Sequence, residues 1–164
     1  MSLSIDLMRM KMKKIVFALF SVVSLTLMLS LTSMKDDDKP ISFAQLPKVA
    51  QQFVKANFTS KVSLVTLDND LIGKSYEVIL ENATRIEFDG KGNWKEVDAE
   101  HGVVPKKIVP NAISSYVAKN FSGTSIKQIE KRRRGGYQVE LSNGLELTFD
   151  SNLKFVRIDD QIQV

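Results

Sequence analysis

The sequence predicts an α+β fold made of two tandem repeats. Each repeat is a helix followed by four antiparallel strands, and the two form one larger sheet with the helices on one face. Three observations predict this. First, a pattern of about sixty residues occurs twice. Leu46-Pro47, Asn57-Phe58, Tyr76-Glu77-Val78, Ile86-Glu87-Phe88-Asp89, Trp94 and Val97-Asp98 are matched by Val109-Pro110, Asn120-Phe121, Tyr137-Gln138-Val139, Leu147-Thr148-Phe149-Asp150, Phe155 and Ile158-Asp159. The offset is 63 at the prolines and 61 from the tyrosines onward, so one loop is two residues shorter in the second copy. A fixed period of this length marks a repeated structural unit. Second, the later part of each copy alternates apolar and polar residues with period two, the mark of half-buried antiparallel strands. Third, each copy opens with a proline followed by apolar residues at helical spacing.

The first 33 of the 164 residues read as a leader outside this fold. Arg9, Lys11, Lys13 and Lys14 precede an apolar run from Ile15 to about Leu31, the arrangement of a secretory signal peptide. Met8, Met10 and Met12 are alternative starts that shorten it. The run falls just short of a comfortable membrane span, so an uncleaved leader would be the chain's route to a membrane. The leader carries four basic residues and one acid, leaving 19 basic and 18 acidic groups in the rest. The basic balance therefore belongs to the leader and does not point to nucleic acid. The absence of cysteine excludes disulfides, thiol catalysis and cysteine-based zinc sites. A periplasmic or secreted location is expected.

Residues 34–40, with Asp36-Asp37-Asp38, read as a polar tether. The first repeat spans 41–98. Ser42 and Gln45 fit a capping box. Pro47 opens a helix carrying Ala50, Phe53 and Val54, and Asn57 ends it in the left-handed conformation that asparagine tolerates. Val62 to Leu67 is the first strand, with a turn at Asp68-Asn69-Asp70. Tyr76 to Glu81 and Arg85 to Phe88 are the next two. Asp89-Gly90-Lys91-Gly92-Asn93 makes a turn before Trp94 to Asp98. Residues 99–108 link the repeats. In the second repeat, 109–164, Pro110 opens a helix with Ile113, Tyr116 and Val117, and Asn120 ends it. Strands follow, with a hairpin at Asn143-Gly144. The shared core is expected at Phe53/Tyr116, Tyr76/Tyr137, Val78/Val139, Leu80/Leu141 and Phe88/Phe149.

No catalytic residues are read. His101, the sole histidine, lies in the linker without convergent partners. Neither a phosphate loop nor a nucleophile elbow occurs. Asp89 to Asn93 has the oxygen-rich look of a calcium loop but lacks its closing glutamate, and Asp89 and Asp150 are more simply turn residues. No cofactor and no metal site are expected.

Lys131, Arg132, Arg133 and Arg134 precede Gly135-Gly136 and are expected to project from a turn, as a docking patch for an acidic partner or lipid headgroups or as a solvated tip. Val97 and Val156-Ile158 are read as the inward phase of the last strands. That sends Trp94 outward with Glu96 and Asp98, and Phe155 outward with Arg157 and Asp159. Two rings on a polar face would anchor a partner; alternatively, each folds over its own turn.

At these residues the chain resembles the secreted PepSY-like family of Bacteroidetes, related in architecture to β-lactamase inhibitory proteins. The resemblance covers nearly all of 41–160. It implies tandem units of helix on four-stranded sheet, with an open concave face. In the inhibitory proteins that face grips an enzyme, and PepSY domains elsewhere are linked to restraining peptidases. The family has no agreed binding residues.

The expected function is that of an exported, non-enzymatic binding protein. Its polar sheet face, with Glu77, Arg85, Glu87, Glu140, Glu146 and Arg157, would receive a protein or peptide, and Trp94 and Phe155 would anchor it. On that reading, replacing both rings by alanine abolishes capture and leaves the melting temperature within a few degrees. An inhibitor or regulator of an envelope peptidase or β-lactamase is the narrower alternative, and a calcium-responsive protein a third. The partner is an envelope protein or peptide and not nucleic acid, and a monomer is expected.

Overall fold

Period-two alternation becomes nine antiparallel strands in a single sheet, ordered β1 to β9 as they occur along the chain. In this computed structural model the described residues are 39–70 and 73–160. The leader, residues 34–38 of the tether with Asp36-Asp37-Asp38, positions 71–72 and residues 161–164 lie outside them. The elements are β1 (Lys39–Pro40), a 3-10 turn (Phe43–Gln45), α1 (Lys48–Asn57), β2 (Val62–Asp70), β3 (Gly73–Leu80), β4 (Arg85–Asp89), β5 (Trp94–Asp98), α2 (Asn111–Asn120), β6 (Ile126–Lys131), β7 (Tyr137–Leu141), β8 (Leu145–Phe149) and β9 (Phe155–Asp160). The fold is α+β.

Pro47 and Pro110 are the N-caps of α1 and α2, with φ of −53° and −55°. Their fixed backbone sets the entry angle, and proline there gives up an N–H that the helix would not have bonded. Asn57 and Asn120 end the helices by a different device from the one expected. Each stays helical and donates its side-chain amide to the carbonyl four residues back, Phe53 and Tyr116, at 2.8 Å. The amide satisfies a terminal carbonyl directly, so no left-handed residue is needed. Ser42 N–H donates to Gln45 Oε1 at 2.8 Å, as the capping box predicts. Buried Gln51 is satisfied by the carbonyls of Leu46 and Ala44.

The register explains where the core sits. Residues paired across antiparallel strands point to the same side. One continuous row runs Val65, Val78, Ile86, Val97, Ile129, Val139, Leu147, Ile158 from β2 to β9. All but the last are at most 3 % exposed. Ala50 and Val54 of α1 and Ile113 and Val117 of α2 belong to the same core, so both helices lie on this face. Each such side chain, fully buried, contributes about 1.5–3 kcal/mol. Of the expected core pairs, Val78/Val139, Leu80/Leu141 and Phe88/Phe149 are buried; Phe53/Tyr116 and Tyr76/Tyr137 are half-buried around them.

Local expectations are corrected at three strand ends. Asp68-Asn69-Asp70 continues β2, pairing with Ser75, Lys74 and Gly73, because the ladder to β3 persists beyond the apolar run. Lys131 is the end of β6, paired with Tyr137, and only Arg132, Arg133 and Arg134 occupy the turn. Lys39–Pro40, at the end of the tether, pairs with β2.

A further correction concerns phase. The β4–β5 ladder shifts register between Glu87 and Phe88, so Trp94 opposes Phe88 and Lys95 is the extra residue. The β8–β9 ladder shifts between Thr148 and Phe149, so Phe155 opposes Phe149 and Val156 is extra. A bulge inverts the phase of what precedes it. Trp94 and Phe155 therefore face the helices. Trp94 stacks on Phe53 at 5.9 Å, and Phe155 on Tyr116 at 4.9 Å. The turn before Trp94 is pressed against the start of α1: Gly92 has φ of +84°, and a Cβ there would fall 2.6 Å from Pro47 Cβ.

Candidate functional site

The face opposite the helices is polar and carries no covering element among the described residues. Two rows cross it. The first runs Thr66, Glu77, Glu87, Glu96, Glu130, Gln138, Thr148, Arg157. The second runs Leu64, Ile79, Arg85, Asp98, Gln128, Glu140, Glu146, Asp159. Four glutamates thus stand side by side on β3 to β6, spanning about 14 Å at ordinary strand spacing. Like charges directly opposed in a sheet are destabilising.

Glu96 is at the centre. Desolvation, then the charges of Glu87 and Glu130, push its carboxyl above the usual range; a hydrogen bond from Gln128 Nε2 opposes them. Its neighbours are partly compensated. Lys95 Nζ lies 3.2 Å from Glu87 Oε2, and Arg85 lies 3.1 Å from Asp98 and 3.6 Å from Glu100. The hydrogen bond to Asp98 is the main cause of a raised Arg85 pKa. Thr148 is 1 % exposed, and its hydroxyl has no hydrogen-bond partner.

Among the expected site residues, Arg85, Glu87 and Arg157 share this face. Arg85 and Glu87 lie on β4 and Arg157 on β9, five strands and about 24 Å away, so they do not form one cluster. Trp94 and Phe155 are on the other side. So is Lys131, whose Nζ lies 3.8 Å from the centre of the Trp94 ring. Desolvation there lowers the Lys131 pKa, and the charge of Asp89 opposes it. Arg132, Arg133 and Arg134 are exposed at the turn. Sequence reasoning noted the separate acids but missed the glutamate row, whose signal lay in strand register and not in spacing along the chain.

The acidic turns are internally satisfied. Asp89 Oδ1 accepts the N–H groups of Lys91 and Asn93 at 2.9 Å, and Oδ2 accepts the Asn93 amide. Burial raises its pKa, but these bonds outweigh burial and the net shift is downward. Asp150 accepts the N–H groups of Asn152 and Lys154 in the same way. No group of three or more Asp, Glu, His or Cys among the described residues converges to hold a metal ion. A 430 Å³ groove beside α2, lined by Val103, Val104, Val109, Val117 and Ile126 among others, lies away from the acidic face and has no carboxylate or histidine in its described lining.

Residues 74–157 match a family model described as "Putative beta-lactamase-inhibitor-like, PepSY-like". The chain belongs to this PepSY-like family. Three solved structures from Bacteroides are similar to it. A "putative periplasmic protein" of the DUF2874 family from Bacteroides vulgatus is 44 % identical, with a TM-score of 0.72 over 76 % of this chain and 98 % of that one. A "putative calcium-regulated periplasmic protein" from Bacteroides thetaiotaomicron is 46 % identical, with a TM-score of 0.74 over 77 % and 99 %. A second Bacteroides vulgatus protein, described as periplasmic and of unknown function, is 35 % identical, with a TM-score of 0.70 over 75 % and 99 %. No curated protein matches the chain. Like these relatives, this PepSY-like protein is periplasmic.

Proposed function

We propose that the protein is an exported, non-enzymatic binding protein whose helix-free sheet face receives a basic segment of a protein or peptide. The observation that carries this reading is the row Glu77, Glu87, Glu96, Glu130. A fold alone would avoid four adjacent like charges; a cationic partner would relieve them. Leu64, 40 % exposed, and its pair Ile79 add an apolar spot beside the acids. We also read the fold as two copies of one unit, 41–98 and 109–164. Matching bulges, ring stacks and asparagine helix ends support that reading, and it makes the acidic centre the place where the copies meet. The family's description supports the narrower reading, restraint of an envelope peptidase or β-lactamase.

The test is calorimetry at low salt with a decalysine peptide. Binding is expected, weakening with salt, and lost in Glu96→Gln combined with Glu130→Gln while the fold is retained. Unchanged binding in that variant, or none by the wild type, overturns the reading. Calcium is the second reading, favoured by the description of the 46 % identical relative. Heat with millimolar calcium alone, abolished by the same substitutions, would favour it.

A further inference from the structure

The two edges of the sheet are not alike. β1 is two residues long, and both of them, Lys39 and Pro40, discourage further pairing. β9 has six residues, contains neither Lys nor Pro, and is the last strand in the sheet order. The apolar row that begins at Val65 ends there on Ile158, which is 43 % exposed although every earlier member is buried; Val156 beside it is 54 % exposed. The row stops where a further strand would cover it.

We propose that β9 pairs antiparallel with β9 of a second copy of this chain, centred on Ile158. The charges on β9 select this occupant and register. In a two-fold antiparallel pair, position i faces a position j of the partner such that i and j average to the centre. Centring on Arg157 opposes two arginines, and centring on Asp159 opposes two aspartates. Centring on Ile158 places Arg157 opposite Asp159 of the second copy, and Asp159 opposite its Arg157, while Ile158 meets Ile158. Within one chain Arg157 and Asp159 already pair at 3.1 Å on the open face, so the contact extends a compatible arrangement across the two-fold axis. A slip by one residue would turn the apolar side chains to the polar face. The apolar row then runs unbroken through both copies, and the monomer expected from sequence becomes one half of a continuous sheet.

Sedimentation velocity on the exported protein tests this. The wild type is expected to be a dimer at tens of micromolar. Arg157→Asp and Asp159→Arg, each alone, should weaken association at least about tenfold. An equimolar mixture of the two variants should associate again, because one then carries acids at both positions and the other carries arginines at both, so every facing pair is of opposite charge. Circular dichroism confirms that each variant is folded, and Ile158→Lys, monomeric but folded, gives an independent check. A wild type that stays monomeric at several hundred micromolar overturns the proposal. So do a dimer indifferent to both reversals and a mixture that fails to associate.

Discussion

Trp94 is the sole tryptophan of the chain and sits in a chain of rings: Phe53 at 5.9 Å, Tyr137 at 6.4 Å, with Lys131 Nζ above it at 3.8 Å. Its role is to close the core between α1 and β5, which reverses the expectation of a dispensable surface anchor. Trp94→Ala should destabilise by roughly 2–3 kcal/mol, below the 3–5 of a fully buried ring because Trp94 is half-buried. Denaturant unfolding followed by circular dichroism measures it; an unchanged midpoint would return the ring to the surface. The sequence sets Trp94 and Phe155 at matching places in two similar segments, 61 residues apart, but not the direction in which they point. Strict alternation counted back from Val97 puts Trp94 outside, and a single extra residue, Lys95, reverses that. A bulge leaves no reliable mark on composition, since Lys95 and Val156 share no chemistry. The basic run shows the same limit: four successive charges read as one patch, yet β6 ends within them and separates Lys131 from Arg132, Arg133 and Arg134.

At the scale of elements, β5 carries the most conflict. Its inner residue Val97 is wholly buried, while its outer residue Glu96 lies between Glu87 and Glu130. Strand and helix positions were legible in the sequence, because alternation and the prolines are local signals. The charge row was not, since it depends on which strands are neighbours. The raised pKa of Glu96 has a definite consequence for pH dependence. Between the unfolded and folded pKa values, the native state holds the proton that the unfolded state has released, so stability falls as pH rises through this window. The favourable contribution is complete below the unfolded value, about 4.3, and gone above the folded one. Glu96→Gln should therefore stabilise at pH 7 by several tenths to about 1 kcal/mol. The gain should shrink toward zero near pH 3.5, where glutamate is neutral in both states. Thermal melts of both proteins across that range measure the difference, and equal stability at pH 7 would remove the conflict. A more stable variant that no longer binds the cationic peptide would separate the two roles of this strand.

For the whole molecule, the question is whether the strands on either side of the β5–β6 ladder fold as one body. That ladder has three residue pairs, Glu96 with Glu130, Val97 with Ile129 and Asp98 with Gln128. The sequence left this junction open, because β5 and β6 are separated by a helix and their pairing has no local signature. Opening it would expose Val97 and Ile129, both 0 % exposed, and would create two new sheet edges. Each side would keep about sixty residues, where burial is marginal for an independent domain. The described residues accordingly belong to one compact unit, and a single unfolding transition is expected. The aromatic rings supply the probes. Trp94 spans the junction, packing on Phe53 on one side and on Tyr137 and Lys131 on the other, and Trp94→Phe with Phe155→Trp moves the single tryptophan to the Tyr116 side. In each protein the fluorescence midpoint should coincide with the far-ultraviolet circular dichroism midpoint, whatever the overall stability of the variant. Were the relocated tryptophan to report unfolding at lower denaturant than circular dichroism, the β6–β9 side would be opening alone, and the three-pair ladder would be a hinge instead of a seam.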